Sequence, residues 1–288
     1  MAERRFALAT SERGSRVDPD LPLARAAFAE AGLDVDVVRW DDPDADWAGY
    51  DLVVVRSCWD YAWRLEEFLA WADAVPRLRN PPEVLRWNVD KRYLRDVEAA
   101  GCPVVPTVWD PASAGELPDA EEWVVKPSVS AGSRDAARWT DPDDVLAHVA
   151  ALVGAGRTAM VQPYVAAVDS AGETALLHVG GAFSHAVRKG PLLQRGEGVR
   201  QDRDSRGDLR PVTARPDQLE VARAALAAVR DRLGAEDLLY ARVDVVDGPD
   251  GTPLLLELEL TEPSLFLPQG DGAAARLATA VDAAARGR

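Results

Sequence analysis

Four charged side chains in the last fifth of the chain, Arg242, Asp244, Glu257 and Glu259, carry the clearest chemical signal. They flank Pro249-Asp250-Gly251-Thr252, whose residue types suit a hairpin turn. Centring the register on that turn sets Asp244 opposite Glu257 and Arg242 opposite Glu259. Strand side chains alternate, so all four fall on one face, while Ala241, Val243, Leu256, Leu258 and Leu260 make an apolar opposite face. Two opposed carboxylates repel unless a cation sits between them. Oxygen donors on a rigid sheet suit Mg²⁺, which keeps part of its water and takes further ligands from phosphates. Alternating Glu and Leu also describes a solvated sheet face. The run Pro253-Leu254-Leu255-Leu256 predicts instead a strand inside its sheet.

Other candidates are spread along the chain. Lys126 ends the apolar strand Trp123-Val124-Val125, and Pro127-Ser128-Val129-Ser130-Ala131-Gly132-Ser133-Arg134 comes next. Small residues let backbone N–H groups approach phosphate oxygens, and serines add donors. A flexible surface turn would read the same, and no Gly-Lys-Ser/Thr ends the loop, so it is not a Walker loop. Lys91 is expected in the first turn of a helix, where a lysine is ordinarily solvated. Met160-Val161-Gln162-Pro163-Tyr164-Val165 reads as a strand passing between lobes. Its free backbone groups could hold a flat adenine ring, or it is a plain linker with a proline. Cys58 has no local relation to His148, His178 or His185 and reads as a small buried thiol rather than a nucleophile. Those histidines form no metal pattern. Phe68 and Trp71 share a helix face, whereas Trp59 and Tyr61 precede that helix and suit a pocket; Arg64 reads as a surface residue.

The elements that must position these groups alternate at first. Strands are expected at Arg5–Thr10, Asp34–Trp40 and Asp51–Arg56, and helices at Leu21–Ala31 and Arg64–Val75. This rhythm implies a small parallel α/β sheet, whose ligands sit at the carboxyl ends of strands. Arg56-Ser57-Cys58-Trp59-Asp60-Tyr61 occupies such an end. Asn80-Pro81-Pro82 breaks the rhythm, and a helix over Asn88–Ala100 is expected after it. Strands are then expected at Glu122–Lys126, Asp135–Trp139 and Arg157–Gln162, with a helix at Pro142–Val153. The last part is α+β: Glu173–Val179, Ala182–Lys189, a helix over Pro216–Leu233, the hairpin Leu238–Leu260 and a helix over Gly272–Arg286. Three lobes result, 1–87, 88–164 and 165–288. The 288 residues carry a formal charge of −15, which repels nucleic acid and anionic lipid as a whole. Two cysteines without metal spacing point to a reducing compartment. No apolar run suits a signal peptide or a membrane helix, so the expected location is cytoplasmic, with no nucleic-acid or membrane partner.

In this order the pieces resemble the ATP-grasp superfamily over roughly residues 88 to 267: Asp90-Lys91, Val124-Val125-Lys126-Pro127 with its serine–glycine loop, Val161-Gln162-Pro163-Tyr164-Val165, Arg188, Arg242-Val243-Asp244 and Glu257-Leu258-Glu259. The resemblance implies an ATP-grasp fold with a preceding α/β domain, and ATP and two Mg²⁺ ions as cofactors. Lys91 and Lys126 would bind phosphates, and Ser128, Ser130, Gly132 and Ser133 would close over them. Gln162, Tyr164 and Val165 would frame the adenine, with Asp169 toward the ribose. Asp244, Glu257 and Glu259 would hold the metal ions. Arg188 would neutralise the transferred phosphate and Arg242 the oxyanion of a tetrahedral intermediate. The last metal ligand is usually asparagine, so Glu259 adds a negative charge and can pair with Arg242 instead. Within the superfamily, Arg56–Tyr61 and Glu257–Leu265 are similar to a bacterial branch that includes the D-cycloserine synthetases, near the glutathione-synthase and ribosomal-protein-modifying ligases. That implies a ligase joining the carboxylate of a small amino-acid derivative to a nitrogen nucleophile through an acyl phosphate, by cyclisation in the closest case, in antibiotic biosynthesis. Arg56, Ser57, Trp59, Asp60, Tyr61 and Ser264 would then line the substrate site. A kinase on the same fold, or a nucleotide-binding regulator without chemistry, is the competing reading. A homodimer is compatible with all of these.

Overall fold

The computed structural model describes residues 4–201, 208–236 and 238–287. The chain begins with β1 (Arg5–Thr10), a short α1 (Gly14–Val17), α2 (Asp20–Glu30), β2 (Asp34–Arg39), β3 (Leu52–Val55), α3 (Leu65–Ala74) and β4 (Leu78–Arg79). These strands pair in parallel in the order β2-β1-β3-β4. Strands β1 and β3 are apolar on both faces because both faces are covered. Phe6, Leu8, Leu52 and Val54 pack on the side of α2, and Ala7, Ala9, Val53 and Val55 pack with Trp40, Phe68 and Ala72 on the side of α3.

The helix expected over Asn88–Ala100 is shorter, α5 (Tyr93–Ala99), and a helix that sequence patterning did not mark, α4 (Pro82–Asn88), precedes it. Pro82 starts α4, where its missing N–H costs nothing. Asn88 at the end of α4 ties the turn after it to a strand later in the chain: its Nδ2 donates to the Leu258 carbonyl at 2.8 Å, and its Oδ1 accepts from the Leu260 amide at 2.7 Å. Lys91 therefore lies in the turn between the helices, and its amide donates to the Ser128 carbonyl. The central sheet comprises β5 (Val108–Trp109), β6 (Trp123–Pro127), β7 (Ala137–Trp139) and β8 (Ala159–Pro163), in the antiparallel order β5-β8-β6-β7, backed by α6 (Pro142–Gly154). Asp141 caps α6 by accepting from the Asp143 amide.

After α7 (Ala167–Ala171) come β9 (Glu173–Val179), β10 (Ala182–Lys189), β11 (Leu209–Val212), α8 (Pro216–Leu233), β12 (Tyr240–Asp247), β13 (Pro253–Glu259) and α9 (Ala273–Arg286). This antiparallel sheet runs β11-β10-β9-β12-β13. One face packs on α8 and α5 through Leu176, Val243, Val245, Leu255 and Leu258. Val84 to Val104 join that same core, so the stretch read as the start of the central lobe is packed against the C-terminal sheet. The other face meets the N-terminal lobe through α9 and Tyr240. Strand β13 is an edge strand, not an internal one. Its apolar run is explained by cover: the Pro103–Val105 segment bonds both backbone groups of Leu255, and the Tyr93 hydroxyl accepts from the Leu258 amide. Among the described residues no helix is long and apolar enough to cross a membrane.

Asn80, which sequence patterning marked only as a break, joins the first lobe to the last. Its Oδ1 accepts from the Leu239 amide at 2.8 Å, and its Nδ2 donates to the carbonyls of Tyr240 and Leu260 at 2.9 and 2.8 Å, all without solvent access for the side chain. Asn80→Ala is expected to lower stability by about 3 kcal/mol or more, because three buried backbone groups lose their partners. A shift in the denaturation midpoint worth less than about 1 kcal/mol would show that these groups find other partners.

Candidate active site

The three sheets enclose a cleft of about 670 Å³. Alternation in β6 sends Val125 into the core behind the central sheet and leaves Val124 and Lys126 on the cleft side. In the hairpin, Asp244 pairs with Glu257 and Arg242 with Glu259, the register expected from the turn. A bulge between Asp244 and Val245 shifts the pairing nearer the turn by one residue. It puts Leu255 in the core and turns Leu256 to the same side as Glu257, so Leu256 is a cleft residue rather than part of the opposite apolar face.

Cations and carboxylates alternate along the cleft floor. Lys91 Nζ lies 3.3 Å from Glu257 Oε1, and Lys126 Nζ 3.8 Å from Oε2. Lys189 Nζ lies 2.7 Å from both Asp244 Oδ2 and Glu173 Oε2. Arg242 donates to both oxygens of Asp244, at 3.0 Å from Nε and from Nη2, and also to Glu259. Burial opposes the charge on Glu257, but Lys91 and Lys126, helped by Lys189 and Arg242, hold its pKa at about 2. Asp244 is likewise lowered by Arg242 and Lys189 against the cost of burial. Glu259 moves the other way, to about 7, because burial together with the charges of Glu257 and Asp244 outweighs Arg242. Burial and Lys91 depress Lys126 despite Glu257.

Toward the central sheet the cleft is lined by apolar residues, with Val124, Pro163, Tyr164, Val165, Val246 and Leu256 on its sides. Gln162 enters from β8 and donates from Nε2 to Thr107 Oγ1 at 2.9 Å. The loop after β6 bends over the floor through Gly132 (φ +66°) and Ser133 (φ +56°). Lys91 Nζ donates to both the carbonyl and hydroxyl oxygens of Ser130 at 3.2 Å. The loop touches the first lobe where the Tyr61 hydroxyl donates to the Ser130 carbonyl and Arg134 stacks on Trp63. At the opposite end Ser11, Asp20, Trp59, Asp60, Tyr61, Glu262 and Ser264 border the cleft.

Several expected site residues stand elsewhere. Arg188 points to the far face of the C-terminal sheet, where Nε and Nη2 donate to the carbonyls of Ala171 and Ser170. Its neighbour Lys189 takes the cleft position, because β10 places Lys189 opposite Glu173. Ser128 is buried, with its backbone engaged by Lys91 and Thr158, and does not border the cleft. Asp169 lies behind Tyr164: it accepts from the tyrosine hydroxyl at 2.5 Å and from Arg138 at 3.1 Å. Arg56 and Ser57 sit beneath the cleft; Arg56 is 1% exposed and paired with Asp20, and Ser57 Oγ bonds Thr10. Asp20, unmarked by any motif, accepts from the amides of Leu265 and Leu267 at 2.7 and 2.8 Å and so fixes the loop after β13. Cys58 is fully buried, and burial with Asp60 and Glu262 nearby pushes its thiol well up, away from thiolate chemistry. Lys189, Glu173 and Glu262 are cleft residues that sequence reading missed.

Among the described residues no three Asp, Glu, His or Cys side chains converge closely enough to cage a metal ion alone. The donor set of Asp244, Glu257 and Glu259 is oxygen only. It fits a hard divalent ion that completes its shell with water and phosphate, and does not fit a protein-caged metal.

Residues 6–80 match the family model for the D-cycloserine synthetase DcsG, N-terminal domain. The cycloserine biosynthesis protein DcsG of Streptomyces lavendulae is 38% identical, over 96% of this chain and 97% of that protein. The crystal structure of D-cycloserine synthetase DcsG aligns with a TM-score of 0.89 at 37% identity, covering 99% of this chain and 100% of that one. The ATP-grasp ligase PsnB, complexed with minimal precursor, shares the fold at a TM-score of 0.64 and 16% identity, over 98% of this chain and 99% of that one.

Proposed function

Since the chain belongs to the D-cycloserine synthetase family of ATP-grasp ligases, ATP-dependent enzymes that form carbon–nitrogen bonds, we propose that it activates an amino-acid carboxylate as an acyl phosphate and closes a ring on it with a nitrogen of the same molecule. The observation that carries this reading is the interleaving of Lys91, Lys126, Lys189 and Arg242 with Glu173, Asp244, Glu257 and Glu259. Without ligand these groups neutralise one another. With nucleotide present, the ammonium groups turn to phosphate oxygens and the carboxylates become free for cations.

ATP lies with its adenine between Val124, Tyr164, Val165 and Leu256 and its phosphates at Lys91, Lys126 and Lys189. Ser130, Gly132 and Ser133 cover them with backbone and hydroxyl donors. Lys189 replaces Arg188 in this reading. Asp244, Glu257 and Glu259 would hold two Mg²⁺ ions, which supply charge neutralisation for the transferred phosphoryl group. A substrate carboxylate oxygen attacks the γ-phosphorus and ADP leaves. The nitrogen then attacks the acyl carbon, loses a proton and expels phosphate. Arg242 faces the oxygen that gains charge in this second step, and its buried position strengthens that contact. In the ring of D-cycloserine, the bond a ligase would make joins the carboxyl carbon to a nitrogen borne on the side-chain oxygen. The open-chain acceptor is therefore an amino acid ending in an O–N bond, and the product is an antibiotic of the cycloserine type. Residues 1–87 then serve as the acceptor lobe, 88–164 as the nucleotide lobe and 165–288 as the lobe of the carboxylates.

An acyl phosphate reacts with hydroxylamine, whereas a stable phosphate ester does not. With ATP, Mg²⁺, hydroxylamine and D-serine as the carboxylate, the expected products are a hydroxamate, ADP and free phosphate in equal amounts. A phosphorylated product without free phosphate would favour the kinase and overturn the ligase reading.

A further inference from the structure

The carboxylates bordering the cleft differ in one respect. Asp244, Glu257, Glu259 and Glu173 are each matched by lysine or arginine. Asp20 has Arg56 and two backbone amides. Asp60 has Arg64 at 3.6 Å and the Trp40 indole N–H at 2.9 Å, and Glu12 at the rim has Arg16. Glu262 stands apart. No described donor lies within hydrogen-bond distance of its carboxylate; only its backbone carbonyl is engaged, accepting from Trp59 Nε1 at 3.3 Å. It is partly buried and borders the cleft together with Lys91, Arg242, Glu257 and Glu259. Burial, Glu259 and Glu257 oppose its charge, while Lys91 and Arg242 act on it only beyond ion-pair distance; such a carboxylate lacks a direct partner unless a ligand supplies a cation.

We propose that Glu262 receives the α-ammonium group of the acceptor and thereby selects amino acids over des-amino carboxylates. Position supports this. Glu262 lies on the loop that leaves β13 just after Glu259 and is tied to Trp59 of the first lobe. It therefore stands between the phosphoryl centre and the acceptor end. In an α-amino acid the ammonium nitrogen is two bonds from the carboxyl carbon, so the residue that holds it must lie near the phosphoryl centre, as Glu262 does. Asp60 and Asp20 face the same end but are already committed to internal partners. The proposal rests on the ligase reading for its substrate class, but ammonium recognition is measurable without turnover.

The test compares O-amino-D-serine with 3-aminooxypropanoate, which lacks only the α-amino group. In the unaltered protein kcat/KM should favour the amino acid by about a hundredfold or more, because a site built for a charged group rejects the analogue without it. Glu262→Gln should reduce that preference to below about tenfold. The loss should fall on KM for O-amino-D-serine, with 3-aminooxypropanoate little changed and Glu262→Asp intermediate. Titration calorimetry of both compounds, with a non-hydrolysable ATP analogue bound, gives the same comparison without chemistry. Equal affinities in the unaltered protein, a preference that survives Glu262→Gln, or equal losses for both compounds would each overturn the assignment. Failure of hydroxamate and ADP formation alongside a Glu262-dependent preference in binding would instead overturn the ligase chemistry and leave the recognition intact.

Discussion

Asp244→Asn and Glu257→Gln should each reduce ADP release by at least about a thousandfold, the scale on which a preorganised charge contact to a transition state acts. Both carboxylates are inside the cleft, Asp244 at 1% exposure, and each is held by two cations. Replacing either by an amide removes a ligand for a divalent ion. It also leaves two neighbouring cations with less counter-charge, so ATP binds a site whose charges no longer balance. The secondary structure should persist, because the hairpin is held by its ladder and by Asn88 and Tyr93 rather than by these carboxylates. A second readout separates metal loss from general damage. Nucleotide affinity should depend steeply on Mg²⁺ in the unaltered protein and weakly in both variants, and high Mg²⁺ should restore part of the activity of Glu257→Gln. Near-normal ADP release from both variants at modest Mg²⁺ would remove these residues from the metal site.

How much of the site is legible in the sequence depends on how local each cause is. The pairing of Asp244 with Glu257 and Arg242 with Glu259 was legible because a short turn sets register over the adjoining residues. The bulge beside Asp244 was not legible; just beyond it Leu255 exchanges backbone hydrogen bonds with Pro103 and Val105, far away in sequence. Its effect is chemical, because it gives the cleft an apolar residue, Leu256, directly before an acid. The break between α4 and α5 was equally hidden: Asn88, Asp90 and Lys91 are unremarkable in a helix, and only the backbone of β13 and Ser128 shows what the turn is tied to. Likewise Arg56 looks like a ligand-binding residue at a strand end. Its burial against Asp20 and Tyr240 makes it a support for the loop carrying Glu262 and Ser264. Trp59, Asp60 and Tyr61, just beyond, do reach the cleft.

The neighbours Arg188 and Lys189 are the sharpest case, because two adjacent basic residues in a strand point to opposite faces and sequence alone does not say which face is the cleft. Lys189→Met should lower kcat/KM for ATP by at least about a hundredfold, whereas Arg188→Met should change it by less than about threefold. Lys189 lies 2.7 Å from Asp244 and from Glu173, with its side chain only 12% exposed, and both acids raise its pKa against the cost of burial. Removing it strips Glu173 of its ion-pair partner and Asp244 of one of two, so lower stability should accompany the loss of activity. Lys189→Arg keeps the charge and should recover stability more fully than turnover, since a planar guanidinium cannot serve both carboxylates and a phosphate with the same geometry. Among the described residues Arg188 donates to the carbonyls at the end of α7 and faces Asp208 at 3.8 Å, outside the cleft. Its removal should therefore register in melting temperature before it registers in catalysis. Measuring ADP release, nucleotide affinity and melting temperature on the three variants decides the matter. If Arg188→Met loses activity and Lys189→Met keeps it, the strand presents its other face to the phosphates, and the cation arrangement assigned to the cleft is wrong.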